Sequence, residues 1–138
     1  LGGVDHRDVP FQALGMRGIC YVELRVKTAD VDSHSGLTGS IFPNAAWRLT
    51  WALNSLKDSN EKILIDGYYD NILPPSDTDI QLIEALPEVA TEYKSRYGIT
   101  HFLKGLEPGP ELRTSAVFEP TCTICGLKSG YQGDGSKT

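Results

Sequence analysis

The residues of this chain best placed to do chemistry are Asp32-Ser33-His34-Ser35-Gly36, followed by Gly39 and then by Pro43-Asn44. They set one histidine on a turn of small residues between a strand pattern and a helix pattern, where a fold presents a side chain instead of burying it. An imidazole held there can donate to a developing oxyanion without binding metal. The bland alternative is an exposed turn histidine with no role. A metal cluster of Asp30, Asp32 and His34 is the weaker reading, because such a site needs a third or fourth ligand from a distant segment. The other two histidines, His6 and His101, fall in a linker and in an insertion. Asp30 or Asp32 is expected to close an Asx-type turn instead.

Three further patterns carry less than they promise. Cys122-Thr123-Ile124-Cys125 has the C-x-x-C spacing, but positions three apart on a strand point to opposite faces, so they read as two ordinary strand cysteines. The tail Gly130-Tyr131-Gln132-Gly133-Asp134-Gly135-Ser136-Lys137-Thr138 resembles a phosphate loop displaced by one residue: Ser136 stands where lysine should follow Gly135, and no helix follows. His6-Arg7-Asp8 would need an asparagine at position 13 to be a kinase catalytic loop, and Ala13 stands there. It reads as solvated linker.

The elements that must position these residues follow from periodicity. Residues 19–28 alternate, with Cys20, Val22, Leu24 and Val26 on one face and Tyr21, Glu23, Arg25 and Lys27 on the other, as in a half-buried antiparallel strand. Residues 29–42 are turn chemistry, and Pro43 suits the first turn of a helix over 44–57 whose core stripe is Ala45, Leu49, Ala52, Leu53 and Leu56. Trp47, Trp51 and Asn54 lie on the opposite side of that helix. Each indole carries about 150–250 Å² of surface, so something is expected to cover them: a second subunit, or the inserted helices of residues 77–97. Residues 63–65 are a short strand candidate. Pro74-Pro75-Ser76-Asp77 opens a second helical pattern (Ile80, Ile83, Leu86), Pro87 interrupts it, and Val89, Tyr93 and Tyr97 resume it before Gly98. Residues 105–110 read as loop and 121–127 as a second long strand.

Composition bounds the rest. The 138 residues, 40% hydrophobic and 22% charged, fit one domain with one core. A net charge of −5 with scattered lysines and arginines offers no phosphate-neutralising stripe, which argues against nucleic acid as a partner. No apolar run approaches the ~20 residues that span a bilayer, and residues 1–5 lack the form of a signal peptide. Three cysteines make no disulfide framework and favour a reducing compartment, with the cytoplasm as the expected location.

Gly15-Met16-Arg17-Gly18 ahead of the first strand, the His34-Ser35-Gly36 turn with Gly39, the Asn44-Ala45 helix start and the glycine-rich tail stand in the order found in one family. Together they resemble the lid, or dimerisation, domain of the zinc-dependent dipeptidase, aminoacylase and glutamate-carboxypeptidase superfamily, in particular its carnosine-dipeptidase branch. The resemblance covers both ends of the chain; residues 66–120 match only as an insertion. It implies an α+β fold, a two-layer α/β sandwich forming a partial ferredoxin-like lid with a helical insertion, over residues 1–138. Residues 1–17 would be a linker from the catalytic domain, and the C-terminal part of the lid would be missing. That family's His-x-Asp ligand pair is not assigned to His6 and Asp8, which stand too close to the first strand in a chain that lacks the accompanying Glu-Glu. The resemblance further implies metal-assisted peptide hydrolysis, with two zinc ions or related divalent metals held in the separate catalytic domain and none in this chain, which would be inactive in isolation. His34 would cross the two-fold axis of a homodimer to stabilise the oxyanion in the partner's site. Gly133, Gly135, Lys137 and Thr138 would contact the peptide substrate, and Trp47, Trp51 and Asn54 would lie in the dimer interface. The alternative is a non-catalytic interaction module that keeps the tryptophan face.

Overall fold

The computed structural model describes residues 2–5 and 7–137. The chain enters through an antiparallel hairpin, β1 (Gly2–Val4) against β2 (Pro10–Gln12), with Gly3 opposite Phe11. Asp5 shapes its turn: one carboxylate oxygen accepts from the backbone N–H groups of Arg7 at 2.8 Å and Val9 at 3.0 Å, and the other pairs with the Arg7 guanidinium at 2.8 Å. The Val9 backbone donor first, then the Arg7 side chain, hold the Asp5 pKa down to about 2. The stretch expected to be plain linker therefore contains a small folded unit.

The helices start and stop where local chemistry dictates. α1 (Ser35–Thr38) is a single turn capped by His34. α2 (Ala45–Asn54) starts where the Asn44 side chain accepts from the Trp47 N–H at 3.1 Å, which puts Pro43 one residue outside the cap rather than in the first turn. α3 (Asp77–Ala85) opens on a complete capping box between Ser76 and Asp79. It ends at Leu86, whose extended backbone (ψ 145°) is what a following proline imposes. α4 (Ala90–Tyr97) is capped by Glu88, which accepts from the Val89 and Ala90 N–H groups at 2.9 and 2.8 Å, and it closes on Gly98 in the left-handed region (φ 66°). After a 3-10 turn at Leu103–Gly105, α5 (Pro110–Phe118) begins with proline in its first turn, where no N–H is needed.

The buried core is small: Ile63, Ile83, Ala90 and Leu112. Ile83 and Leu112 lie on α3 and α5, which pack on each other. Arg113 of α5 completes the joint by donating to the Ile83 carbonyl at the end of α3 and pairing with Glu88 at the start of α4, each at 3.0 Å. Three of the four core residues thus lie within 66–120, so the supposed insertion holds the packed centre of the described residues.

The long strands expected at 19–28 and 121–127 are not formed. Both segments lack a ladder, and Ile19, Tyr21, Val22, Leu24 and Val26 all stand exposed. The alternation is present, but a strand needs a neighbour to take its N–H and C=O groups, and no strand faces either segment among the described residues. Residues 63–65 likewise contribute only an isolated bridge, Lys57 with Ile63. The character is α+β, with five α-helices and one two-stranded sheet among the described residues. Among the described residues α2 packs on neither the hairpin nor another helix, so they form no second layer of a sandwich.

The two extended segments are nevertheless tied at both ends. The Arg17 guanidinium donates to the carbonyls of Ser115, Ala116 and Val117 at the close of α5, supplying donors and positive charge where a helix leaves carbonyls unpaired. Lys137 meets the Asp32 carboxylate at 2.5 Å, and the Tyr68 hydroxyl donates to the Thr121 carbonyl at 2.7 Å. The accessible surface is 11655 Å², against roughly 7,100 Å² expected for a self-contained globular chain of this mass. Large apolar side chains make up part of it, among them Ile19, Tyr21, Leu37 and Leu73.

Candidate functional site

His34 is the N-cap of α1, in extended backbone conformation (φ −69°, ψ 121°) and exposed. Its carbonyl accepts from the Leu37 and Thr38 N–H groups, and its ring Nδ1 accepts from the Gly36 N–H at 3.0 Å. Space around the ring is restricted: a Cβ at position 36 would stand 2.9 Å from the imidazole Cε1 and 3.0 Å from Nδ1. Gly39 closes the turn for another reason, because a Cβ there would come within 2.5 Å of the Ser35 carbonyl oxygen. A hydrogen bond between the Ser33 and Thr38 hydroxyls at 2.7 Å braces the turn from the other side.

The Asp32–Lys137 ion pair brings this turn beside the glycine-rich tail, two regions 105 residues apart. The Lys137 ammonium, by hydrogen bond first and by charge second, keeps the Asp32 carboxyl below its usual range. Gly135 is left-handed (φ 77°), and Gly133 faces the Tyr131 hydroxyl so closely that a Cβ would lie 2.4 Å from it. His34, Gly133, Gly135 and Lys137 are all exposed, and the Asp32–Lys137 pair is what links the turn to the tail; Thr138 lies outside the described residues. Asp30 pairs with Lys27 at 2.5 Å, so neither acidic residue of the turn makes the expected Asx closure its principal contact. Pairing of Asp32 with Lys137 was not legible in the sequence, for no local pattern links positions so far apart.

Trp47 and Trp51 lie side by side on α2, ring centroids 6.0 Å apart, with the Arg48 guanidinium 5.1 Å from the Trp51 ring centre. They are 60% and 53% exposed. Asn54, at the end of the helix, is exposed as well. Covering of this face by residues 77–97 does not occur, since α3 and α4 make no packing contact with α2.

Other sequence candidates disperse. Among the described residues no three His, Cys, Asp or Glu side chains converge in a way that could hold a metal ion. Cys122 and Cys125 are free thiols, the first half-buried and the second exposed. Asp8 sits in the hairpin turn in left-handed conformation (φ 59°), and His6 lies outside the described residues. A groove of about 390 Å³, lined among others by Tyr69, Ile72, Leu106 and Phe118, shares no residue with the His34 turn or the tail. At its edge Lys104 pairs with Glu119 at 2.6 Å, a contact that raises the Lys104 pKa. No described helix is long and apolar enough to cross a membrane.

No protein-family model matches the chain. It is 32% identical to the rat Beta-Ala-His dipeptidase over 129 residues, 94% of this chain and 26% of that protein. Its fold matches the crystal structure of human carnosine dipeptidase 1 with a TM-score of 0.71 and 29% identity, over 81% of this chain and 24% of that one. An M20 family metallo-carboxypeptidase from Sulfolobus solfataricus matches with a TM-score of 0.68 and 26% identity, over 76% of this chain and 27% of that one. The chain spans about a quarter of the length of the proteins it matches. Over 94% of its sequence and most of its fold the chain is similar to a stretch of metallodipeptidases and of an M20 metallo-carboxypeptidase, and it is consistent with a domain of that superfamily.

Proposed function

We propose that this chain is the lid and dimerisation domain of a dizinc metallodipeptidase, and that His34 acts in the active site of the partner subunit. The observation that carries the proposal is the exposed His34 imidazole, held on a capped turn and joined to the glycine-rich tail through Asp32 and Lys137. Two zinc ions, bound by a catalytic domain outside these residues, would supply the Lewis acid and the nucleophile. The part left to this chain is orientation and charge. A His34 ring N–H placed against the former carbonyl oxygen stabilises the negative charge that collects there. Gly133, Gly135, Lys137 and Thr138 receive the carboxylate of the peptide, the Lys137 ammonium through the N–H groups that its pair with Asp32 leaves over. Trp47, Trp51 and Asn54 form the two-fold contact of a homodimer, whose interface presents the same patch from each subunit. Residues 19–28 and 121–127, exposed but alternating, become sheet strands of the ferredoxin-like sandwich when the remainder of the lid pairs with them. The odd cysteine count supports a cytoplasmic setting.

Substitution in the full-length protein tests this. His34→Ala should leave zinc content and dimer mass intact and lower turnover by about 10²–10³-fold, the scale of one lost oxyanion donor. A mixed dimer of His34→Ala with a subunit disabled at its metal centre should regain one competent site, built from the intact lid of one chain and the intact metal centre of the other. A mixture as inactive as either parent refutes action across the interface. Full activity of His34→Ala refutes a catalytic role and leaves the non-catalytic interaction module.

A further inference from the structure

We propose that Gly36 is a positioning residue for His34: its backbone N–H and its missing side chain together fix the imidazole as the Nε2–H tautomer and set the direction in which that N–H points. The inference rests on the reading of His34 as an oxyanion donor and adds which nitrogen donates and what holds it. A ring nitrogen that accepts a hydrogen bond carries no proton, and a neutral imidazole has one proton to place. Nδ1 accepts from the Gly36 N–H at 3.0 Å, so the proton belongs to Nε2.

The choice of glycine has a specific cause. Position 36 does not have the positive φ that glycines 67, 98, 105, 109, 130 and 135 have, so its backbone suits any residue. It lies inside α1, where alanine is favoured over glycine by about 1 kcal/mol. What alanine would disturb is the ring itself, because a Cβ would lie 2.9 Å from Cε1 and 3.0 Å from Nδ1, so the imidazole would have to turn away. The substitution therefore favours the helical turn while driving the imidazole away from its backbone donor. Those two effects have opposite signs, which separates positioning from simple loss of structure.

The experiment uses the full-length enzyme. Gly36→Ala is expected to lower kcat by about 10–100-fold through misplacement of the donor, with KM, metal content and dimer mass close to wild type. In 15N-histidine-labelled protein, the difference spectrum between wild type and His34→Ala should show His34 with an unprotonated Nδ1 and a protonated Nε2, and Gly36→Ala should mix the two tautomers. A protonated Nδ1 in the wild type overturns the proposal whether or not the variant folds. Wild-type kcat in Gly36→Ala, with His34→Ala still inactive, overturns positioning by Gly36 while leaving the role of His34 standing. Full turnover in His34→Ala overturns the underlying reading, and the proposal with it.

Discussion

Replacing both tryptophans of α2 with glutamine in the full-length protein should convert a dimer into a monomer. Trp47 and Trp51 are 60% and 53% exposed, which leaves roughly 130–150 Å² of each indole open to cover if its full surface is about 250 Å². At about 25 cal/mol per Å² each ring contributes about 3–4 kcal/mol gross when covered. A two-fold contact uses four rings, so about 14 kcal/mol gross is available against an association cost of about 4–15 kcal/mol. A net loss of only about 3 kcal/mol weakens the dimer by ~100-fold. Helicity should survive, because Leu49 and Leu53, half-buried on α2, and Leu56 just beyond it are untouched, and glutamine is a good helix former. Sedimentation equilibrium across a concentration series, with far-ultraviolet dichroism as the control for folding, reads both quantities. An unchanged dimer mass with intact helicity would refute the reasoning. So would collapse of the fold, which would mean that the indoles support their own domain.

Two stability predictions follow from the helical centre. Leu112→Ala removes a buried side chain from the α3–α5 contact and should cost about 2–5 kcal/mol in urea unfolding; a loss below about 1 kcal/mol would show that the centre collapses freely around the gap. The capping box predicts a pH dependence: the Ser76 hydroxyl first, then the Ser76 backbone N–H, lower the Asp79 pKa. A depressed carboxylate contributes stability that is complete above the ordinary aspartate value and is lost as pH falls through the folded value. Wild type should therefore exceed Asp79→Asn in melting temperature near neutrality, and the gap should close as pH falls below the ordinary aspartate range; a gap that is constant with pH would refute the assignment.

What could be read from the sequence was what is decided within a few residues. Asn44 and Ser76 as caps, Pro87 as a stop and Gly98 as a left-handed end are local choices, and α2, α3 and α4 fall between them. The strand patterns at 19–28 and 121–127 carry the right alternation, yet a ladder depends on a partner that local sequence does not name. α5 escaped notice because its apolar residues, Leu112, Ala116, Val117 and Phe118, do not repeat at clean helical spacing; Pro110 after Gly109 was the available signal. His34 stood out because small residues flank it, and the close approach of Gly36 explains one of them. Arg17 and Arg113 could not be found in this way, since each works on carbonyls or carboxylates brought near only by the finished fold.

The clasps at the two ends of the extended segments give the chain an unusual plan. Arg17 reaches the carbonyl of Ala116, 99 residues away, and Asp32 reaches Lys137, 105 residues away. Each clasp closes a long excursion that returns to where it left, and because the two interleave along the sequence the chain from Asp32 to Ala116 lies within both. Closing such an excursion costs only about 0.6 kcal/mol more for each doubling of its length. The stretch between Asp32 and α5, which holds α3 and α4, can therefore lengthen or shorten at small entropic cost while the two clasps, and the histidine turn that adjoins one of them, are kept.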